Sequence, residues 1–366
     1  MRGIVVQQLV SVSVASFHGR YMHGVAHPQG VATLEDDLPV PKPNTDEVLV
    51  KVNYAAANPT DWKHMEWLSP PDSLLGCDYF GTVVEVGPGS RPTLKVGDKV
   101  AGFVHGGKFP TEGSFAEYVK VDNKMTTKLP DGWDRMAEAA TFGVGYLTAA
   151  LCLFHAQKNP FPPSKRSSDD WFFVQGGASS VGLFAIQLAK LAGYSVITTC
   201  SPHSFDLCKS FGADHTVDYH DYAAAVKDIK DVTQGKCKGA LECIGGVDDA
   251  KLAVESIGTE GGLVTFLLSV PEEAKNRRSD VKLEGILLYT IGGYAFDFLP
   301  GQPPVPASPE DRAWAEKWFE ISGDVVGKYG IRGNPVDVRQ GLESVLAGLK
   351  ELKAGVSGKK IVYKID

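Results

Sequence analysis

The sequence predicts an α/β protein in two parts, a β-rich domain of barrel or sandwich type interrupted by a doubly wound parallel sheet. Three observations predict it. A chain of 366 residues exceeds what one ordinary core fills, which implies two domains. Residues 1–140 read as short β-branched segments closed by Gly, Pro, Asn or Asp. From Trp171 onward, strand-like runs alternate with helices long enough to cross back over a sheet.

In the first part, "EVLVKVNYAAANPTDW", "FGTVVEVGPGSRP", "VGDKVAGFV" and "GSFAEYVKV" are the strand segments, at the close spacing of a small closed or sandwiched sheet. "AATFGVGYLTAALCLFHA" is Ala-rich with helical spacing and predicts a buried helix leading into the next domain. "QKNPFPPSKRSSDD" is Pro- and Ser-rich and charged, hence an exposed loop. The strands expected next are Phe172–Gln175, Ser195–Cys200, His215–Asp218, Gly239–Ile244, Leu263–Leu268 and Gly285–Thr290, with "VGLFAIQLAKLAG" and "HSFDLCKSFGA" among the helices between them. Two amphipathic helices, "SPEDRAWAEKWFEISGDVVGKYG" and "GLESVLAGLKELKAG", precede a closing strand "KKIVYKI"; these are expected to pack back on the first domain. The expected boundaries are 1–145, 146–292 and 293–366.

Composition narrows the partners. A formal net charge of -7 without any long basic run disfavours nucleic acid and anionic membranes, leaving a small-molecule site as the default. The six cysteines are scattered without a C-x-x-C pair, as in a reducing compartment, and predict neither a zinc knuckle nor a disulfide framework. The opening "MRGIVVQQLVSVSVASFHGR" alternates like a strand and makes a poor signal-peptide core, and no apolar run reaches the roughly 18 residues of a membrane span. A cytoplasmic location follows as the expectation.

The sharpest motif is "FFVQGGASSVGLFAIQLAKLAGYSVITTCSPHS", residues 172–204, in which strand, glycine turn, helix and second strand follow one another. Gly177, Ser179 and Gly182 occupy the glycine places of G-x-G-x-x-G. The turn Gly177, Ala178, Ser179, Ser180, Val181 and Gly182 would bring backbone amides and a helix N-terminus to a pyrophosphate. Ser179 departs from the pattern, and its hydroxyl can donate to that phosphate. The acid expected about 20 residues beyond the turn, which would bind a ribose 2′-hydroxyl and repel a 2′-phosphate, is absent. Ser201, Pro202, His203 and Ser204 stand there, so NADP(H) is favoured over NAD(H). These residues could equally cap the helix that follows, and Asp206 is the one nearby acid.

The order of "EVLVKVNYAAANPTD", "GCDYFGTVVEVGPG", "VGDKV", "GSFAEYV", "GGASSVG" and "GKKIVYKI" resembles the medium-chain dehydrogenase/reductase superfamily over nearly the whole chain. "NPTDWK", "TCSPHSFDLCKSFGADHTVDYHD" and the Pro-rich insertion before Trp171 resemble the fungal trans-acting enoyl reductases of polyketide biosynthesis. The resemblance implies a GroES-like β-barrel catalytic domain (1–145, with the return at 293–366) and a Rossmann NADP-binding domain (146–292). It places Thr60, Asp61 and Lys63, the turn, residues 201–204, Tyr219, Leu267, Leu268, Ser357 and Gly358 near the cofactor. It makes Lys63, Thr148 and Tyr294 the candidate catalytic residues. Zinc-dependent members hold their metal through a Cys in the first loop and a His in a G-H-E segment; here those segments read Asn58-Pro59-Thr60-Asp61 and Gly76-Cys77-Asp78. Cys77 alone cannot complete a tetrahedral site, so no metal is expected.

The implied activity is NADPH-dependent reduction of an activated C=C bond, in a small-molecule or carrier-bound acyl substrate, with a polyketide synthase as partner and a monomeric or homodimeric enzyme. Two alternatives stay open: a stand-alone quinone or enone oxidoreductase, and an accessory protein that binds NADPH without turnover.

Overall fold

The computed structural model describes residues 1–7, 31–89, 94–165 and 169–365. Most of the alternating N-terminal stretch, part of the "GPGSRP" turn and residues 166–168 of the Pro- and Ser-rich loop lie outside them. The chain divides into two compact units: Met1–Val144 with Tyr289–Gly327 and Pro335–Asp366, and Gly145–Leu288 with Lys328–Asn334.

In the first unit, strands β1 (Gly3–Val6) and β2 (Ala32–Glu35) pair antiparallel. β3 (Glu47–Ala56) is the centre of a larger sheet with β4 (Asp78–Val86), β5 (Lys99–Phe103), β6 (Tyr118–Asp122) and β7 (Thr126–Lys128). The second unit holds β8 (Trp171–Gln175), β9 (Ser195–Thr199), β10 (His215–Val217), β11 (Cys237–Glu242), β12 (Gly262–Leu267) and β13 (Val281–Ile286). The chain then returns to the first unit, where β14 (Val336–Gln340) and β15 (Lys360–Lys364) extend its sheet, β15 pairing antiparallel with β3.

The return is driven by burial. Val48, Val50 and Val52 of β3 are fully buried, and Leu342, Val345, Leu349, Ile361 and Tyr363 of the closing segment join the same core. Helix Pro309–Lys328 buries Trp314, Trp318 and Phe319 on one face.

In the second unit all six strands are parallel, in the order β10-β9-β8-β11-β12-β13. Counted from β8 this is 3-2-1-4-5-6, the doubly wound order whose crevice opens at the carboxyl ends of β8 and β11. Helix Ser180–Leu191 is buried from Gly182 through Ala189, as its run of Leu, Phe, Ala and Ile requires. Five of the six expected strands fall within two residues of their places. The sixth does not: the sheet takes Val281–Ile286, and residues 288–292 form a 3-10 turn. The apolar run Ile286–Ile291 carries no period that could have separated the two. The Ala-rich helix runs as α over Val144–Ala150 and widens to π over Leu151–Ala156.

Candidate active site

In the second unit, the chain turns after β8 on Gly176, whose φ of +83° belongs to the left-handed region. The sequence pattern had put the turn's first glycine at Gly177. That residue has a different job, since a Cβ there would lie 2.1 Å from Thr198 Oγ1. A Cβ on Gly182 would lie 2.3 Å from Gly176 O and 2.8 Å from Gly177 Cα, so only glycine lets the helix sit this close to the turn. Ser179 caps the helix, its Oγ accepting from Gly182 N at 3.0 Å, and its hydroxyl also lies within hydrogen-bonding reach of Cys243. The Ser180 hydroxyl is spent otherwise, donating to Asn334 Oδ1 at 2.6 Å, so Ser180 can offer a ligand its backbone amide but not its side chain. Behind the turn, Thr199 Oγ1 donates to Gln175 Oε1 at 2.5 Å and accepts from Gly176 N at 3.1 Å, while Gln175 Nε2 donates to Asp249 Oδ1 at 2.6 Å. This buried set braces the turn, and sequence reasoning missed it because no motif marks it.

At the end of β9, Ser201 Oγ lies 3.2 Å from Tyr219 OH, which brings together two residues 18 apart in sequence. Pro202 and His203 are exposed, whereas Ser204 is buried and turned away from solvent. Neither Ser201 nor Ser204 makes a side-chain capping bond, so among the described residues the Ser201 hydroxyl bonds Tyr219 alone. Leu268, just past β12, adopts φ +73° and is 52% exposed. A branched side chain held in that region is strained, and strain of this kind gathers at functional sites. Thr148 is buried, and its hydroxyl has no partner among the described residues.

In the first unit, Asn58 starts the short helix Pro59–Lys63, with Asp61 Oδ2 accepting from Asn58 N at 2.6 Å. Asp61 is 1% exposed, and its carboxylate serves the loop's own backbone through Oδ2. Burial pushes its pKa up to about 7. Thr60 and Lys63, on the same helix, are both half-buried. Lys63 Nζ lies 5.7 Å from the Trp62 ring, without an ion-pair partner among the described residues, and desolvation lowers its pKa. Ser357 is exposed, and Gly358 takes φ +70° as the chain enters β15.

Thr60 Oγ1 bonds Tyr289 OH at 2.6 Å and His64 Nδ1 at 3.1 Å. Tyr289 stacks on His105 with centroids 4.0 Å apart, and His105 Nδ1 bonds Tyr294 OH at 3.1 Å. Phe109, Phe296 and Phe298 complete this aromatic basin. Burial lowers His64 to about 4 and His105 to about 2, so both imidazoles are neutral at working pH. Tyr294 is raised above the ordinary phenol value by desolvation, which keeps its proton on at working pH. Neither histidine lies in a recognisable motif, and only the fold brings them to Tyr289.

Beneath the loop, Lys360 is 4% exposed, donates from Nζ to Asn58 Oδ1 at 2.5 Å and sits 3.2 Å from Asp78 Oδ2. Asp78 Oδ1 accepts from Val144 N at 2.6 Å. Cys77 is buried, with its thiol pushed well up by desolvation and by Asp61, a setting that opposes thiolate formation. Among the described residues no group of three or more His, Cys, Asp or Glu is placed to hold a metal ion.

Two family models match, the alcohol dehydrogenase GroES-like domain over residues 44–131 and the zinc-binding dehydrogenase model over residues 180–291. A trans-enoyl reductase of Alternaria alternata is 38% identical over 93% of this chain and 98% of its own length. Another, of Thermothelomyces thermophilus, is 36% identical over 92% of this chain and 94% of its own. Among solved structures, the CurK enoyl reductase superposes with TM-score 0.71 at 18% identity, covering 92% of this chain and 95% of that one. The quinone oxidoreductase of Coxiella burnetii superposes with TM-score 0.67 at 22% identity, covering 100% of both chains. At those identities the structures establish the shared fold and no more. The relatives of one third identity and near-complete mutual coverage establish the family: this chain is an oxidoreductase of the trans-enoyl reductase family, within the medium-chain dehydrogenase/reductase superfamily.

Proposed function

We propose that the protein reduces an α,β-unsaturated acyl thioester with NADPH, acting in trans on a chain carried by a polyketide synthase. The observation that carries this reading is the braced turn Gly176–Gly182 opening a 12-residue helix, with neutral donors at Ser201 and Tyr219 beyond the neighbouring strand. The residues present fit a dinucleotide. Backbone amides at the helix start would face a diphosphate, and Gly182 lets the helix pack close enough to the turn to bring them there. Ser201, His203 and Tyr219 would receive a 2′-phosphate without an opposing carboxylate at the strand end, which favours NADP(H) over NAD(H).

When bound, the cofactor would supply a hydride to the β carbon of the enoyl group, and negative charge would then grow on the thioester oxygen. The chain's task is placement and charge stabilisation. Lys63, whose charge is held in half-buried surroundings, is suited to donate to a ribose or phosphate oxygen or to hold the nicotinamide end. Thr148, with an unspent hydroxyl, can donate to a carbonyl or to a ribose. Leu267, Leu268 and the exposed Ile244 offer apolar surface at the carboxyl ends of β11 and β12. Ser357 and Gly358 are proposed as a further cofactor contact. The basin of His105, Tyr289, Tyr294 and the phenylalanines carries no formal charge, as an uncharged acyl chain requires.

Assays of NADPH oxidation with a crotonyl-type thioester and with a simple quinone test this reading. Oxidation with the thioester alone supports it. Oxidation with the quinone alone overturns it in favour of a quinone reductase, and tight NADPH binding without turnover overturns it in favour of an accessory protein.

A further inference from the structure

The pairing of His105 with Tyr294 has a directional consequence. An imidazole nitrogen is a much stronger base than a phenol oxygen, and a phenol is a stronger acid than a neutral imidazole N–H. The bond at 3.1 Å therefore runs from Tyr294 OH to His105 Nδ1. Burial keeps the ring from taking a second proton. An imidazole that accepts at Nδ1 and stays neutral carries its hydrogen on Nε2. His105 is 5% exposed, and no group among the described residues receives that N–H.

The ring's orientation is held from several sides. It stacks on Tyr289 at 24° and meets Phe296 at 90° with centroids 5.0 Å apart; His64 and Phe109 stand edge-on to it at 5.8 and 6.3 Å. His64 has the opposite arrangement, since its Nδ1 lies 2.9 Å from the Thr60 carbonyl and donates to it. The basin thus has one imidazole whose proton is spent on backbone and one whose proton is spare.

We propose that His105 Nε2–H is a substrate-binding donor that takes an oxygen of the acyl chain, a carbonyl or hydroxyl, and that Tyr294 is the positioning residue that fixes its tautomer. The acyl identity of the ligand rests on the reading of function given above; the tautomer does not. The same arrangement gives Tyr294 a role other than acid catalysis, because its proton is committed to His105. It also predicts selectivity: chains with an oxygen at the right depth bind better than fully reduced hydrocarbon chains of equal length.

Nitrogen-15 spectra of the histidine-labelled full-length protein, from about pH 6 to about pH 8, read the tautomer directly. His105 is expected to be protonated at Nε2 throughout. Tyr294→Phe should shift its Nδ1 resonance toward that of an unbonded acceptor. With NADP+ present, butyryl-pantetheine should move the Nε2–H resonance, whereas the thioether lacking the carbonyl should not. In turnover, His105→Phe should raise KM for the enoyl thioester at least about tenfold, and His105→Gln, which retains an N–H donor, should recover most of the loss. A proton on Nδ1, an Nε2–H resonance indifferent to the acyl thioester, or a His105→Phe enzyme equal to the parent would each overturn the proposal. If the parent turns over no thioester, the reading of function fails while the spectra of the free protein still decide the tautomer.

Discussion

Replacing Lys360 with methionine tests the buried charges beneath the Asn58 loop. The substitution keeps the side chain's volume and removes the cation 3.2 Å from Asp78 Oδ2, where Asp78 is fully buried and Lys360 is 4% exposed. Desolvation already raises the Asp78 pKa and Lys360 opposes that rise, so its loss leaves a carboxylate that must either stay charged in the interior or bind a proton. Breaking a buried pair by removing one partner costs about 3–5 kcal/mol. Asn58 Oδ1 also loses its donor, an effect contained within that range. For units of this size the loss corresponds to a fall in Tm of roughly 6–20 °C at neutral pH. The deficit should shrink as pH falls, because a buried acid with a raised folded pKa is penalised only above its unfolded value near 3.9. Thermal and urea unfolding of Lys360→Met, Asp78→Asn and the double variant form a cycle. The double variant should be more stable than Lys360→Met alone, since the orphaned charge is gone while Asn can still accept from Val144 N. A single-variant loss under about 1 kcal/mol, or a strictly additive cycle, would refute the reasoning.

Three further outcomes follow from the same geometry. Ser201→Asp should weaken NADPH binding about 10- to 100-fold while changing NADH less than about threefold, because a carboxylate would face the 2′-phosphate; equal effects on both, by fluorescence titration, would remove the basis for preferring NADP(H). Gly182→Ala drives a Cβ to 2.3 Å from Gly176 O, and both neighbours are backbone, so dinucleotide affinity should fall at least about tenfold and stability by about 1–3 kcal/mol; an unchanged Kd would show that the turn does not hold the cofactor. His64 and His105 are held neutral in the fold, at about 4 and about 2, whereas the unfolded chain binds protons near 6.5. Stability is therefore lost as pH falls below about 6.5, and His64→Asn should lose about 3 kcal/mol less than its parent between pH 7 and pH 4; equal losses in urea titrations would contradict the burial argument.

Much of the fold was legible because its signals are local. Alternation along "EVLVKV", the turn at "QGGASSVG" and the strand-helix rhythm after Trp171 each report the nearest few residues, and the closing "KKIVYKI" reads as a strand that the structure pairs with β3. The segment at 281–292 was misread because a continuous apolar run has no period to mark where strand ends and turn begins. Within the candidate site, the places of Gly182 and Ser201 were read from spacing, and Tyr219 only from the family resemblance. His105, Tyr289, Gln175 and Lys360 could not, since each acts through a partner far off in sequence, such as Tyr294 189 residues from His105 and Asn58 302 from Lys360. Asp61 shows the same limit from the other side: sequence adjacency to Thr60 could not tell that its carboxylate is buried and caps its own helix.

The claim that the chain delivers a hydride to the β carbon of an enoyl thioester is tested most directly by isotope placement. Turnover of crotonyl-pantetheine with NADPH deuterated at the transferable C4 position, followed by mass and NMR analysis of the product, should find a single deuterium on the β carbon and a solvent-derived hydrogen on the α carbon. Deuterium at the carbonyl carbon, or a product without deuterium, would contradict it.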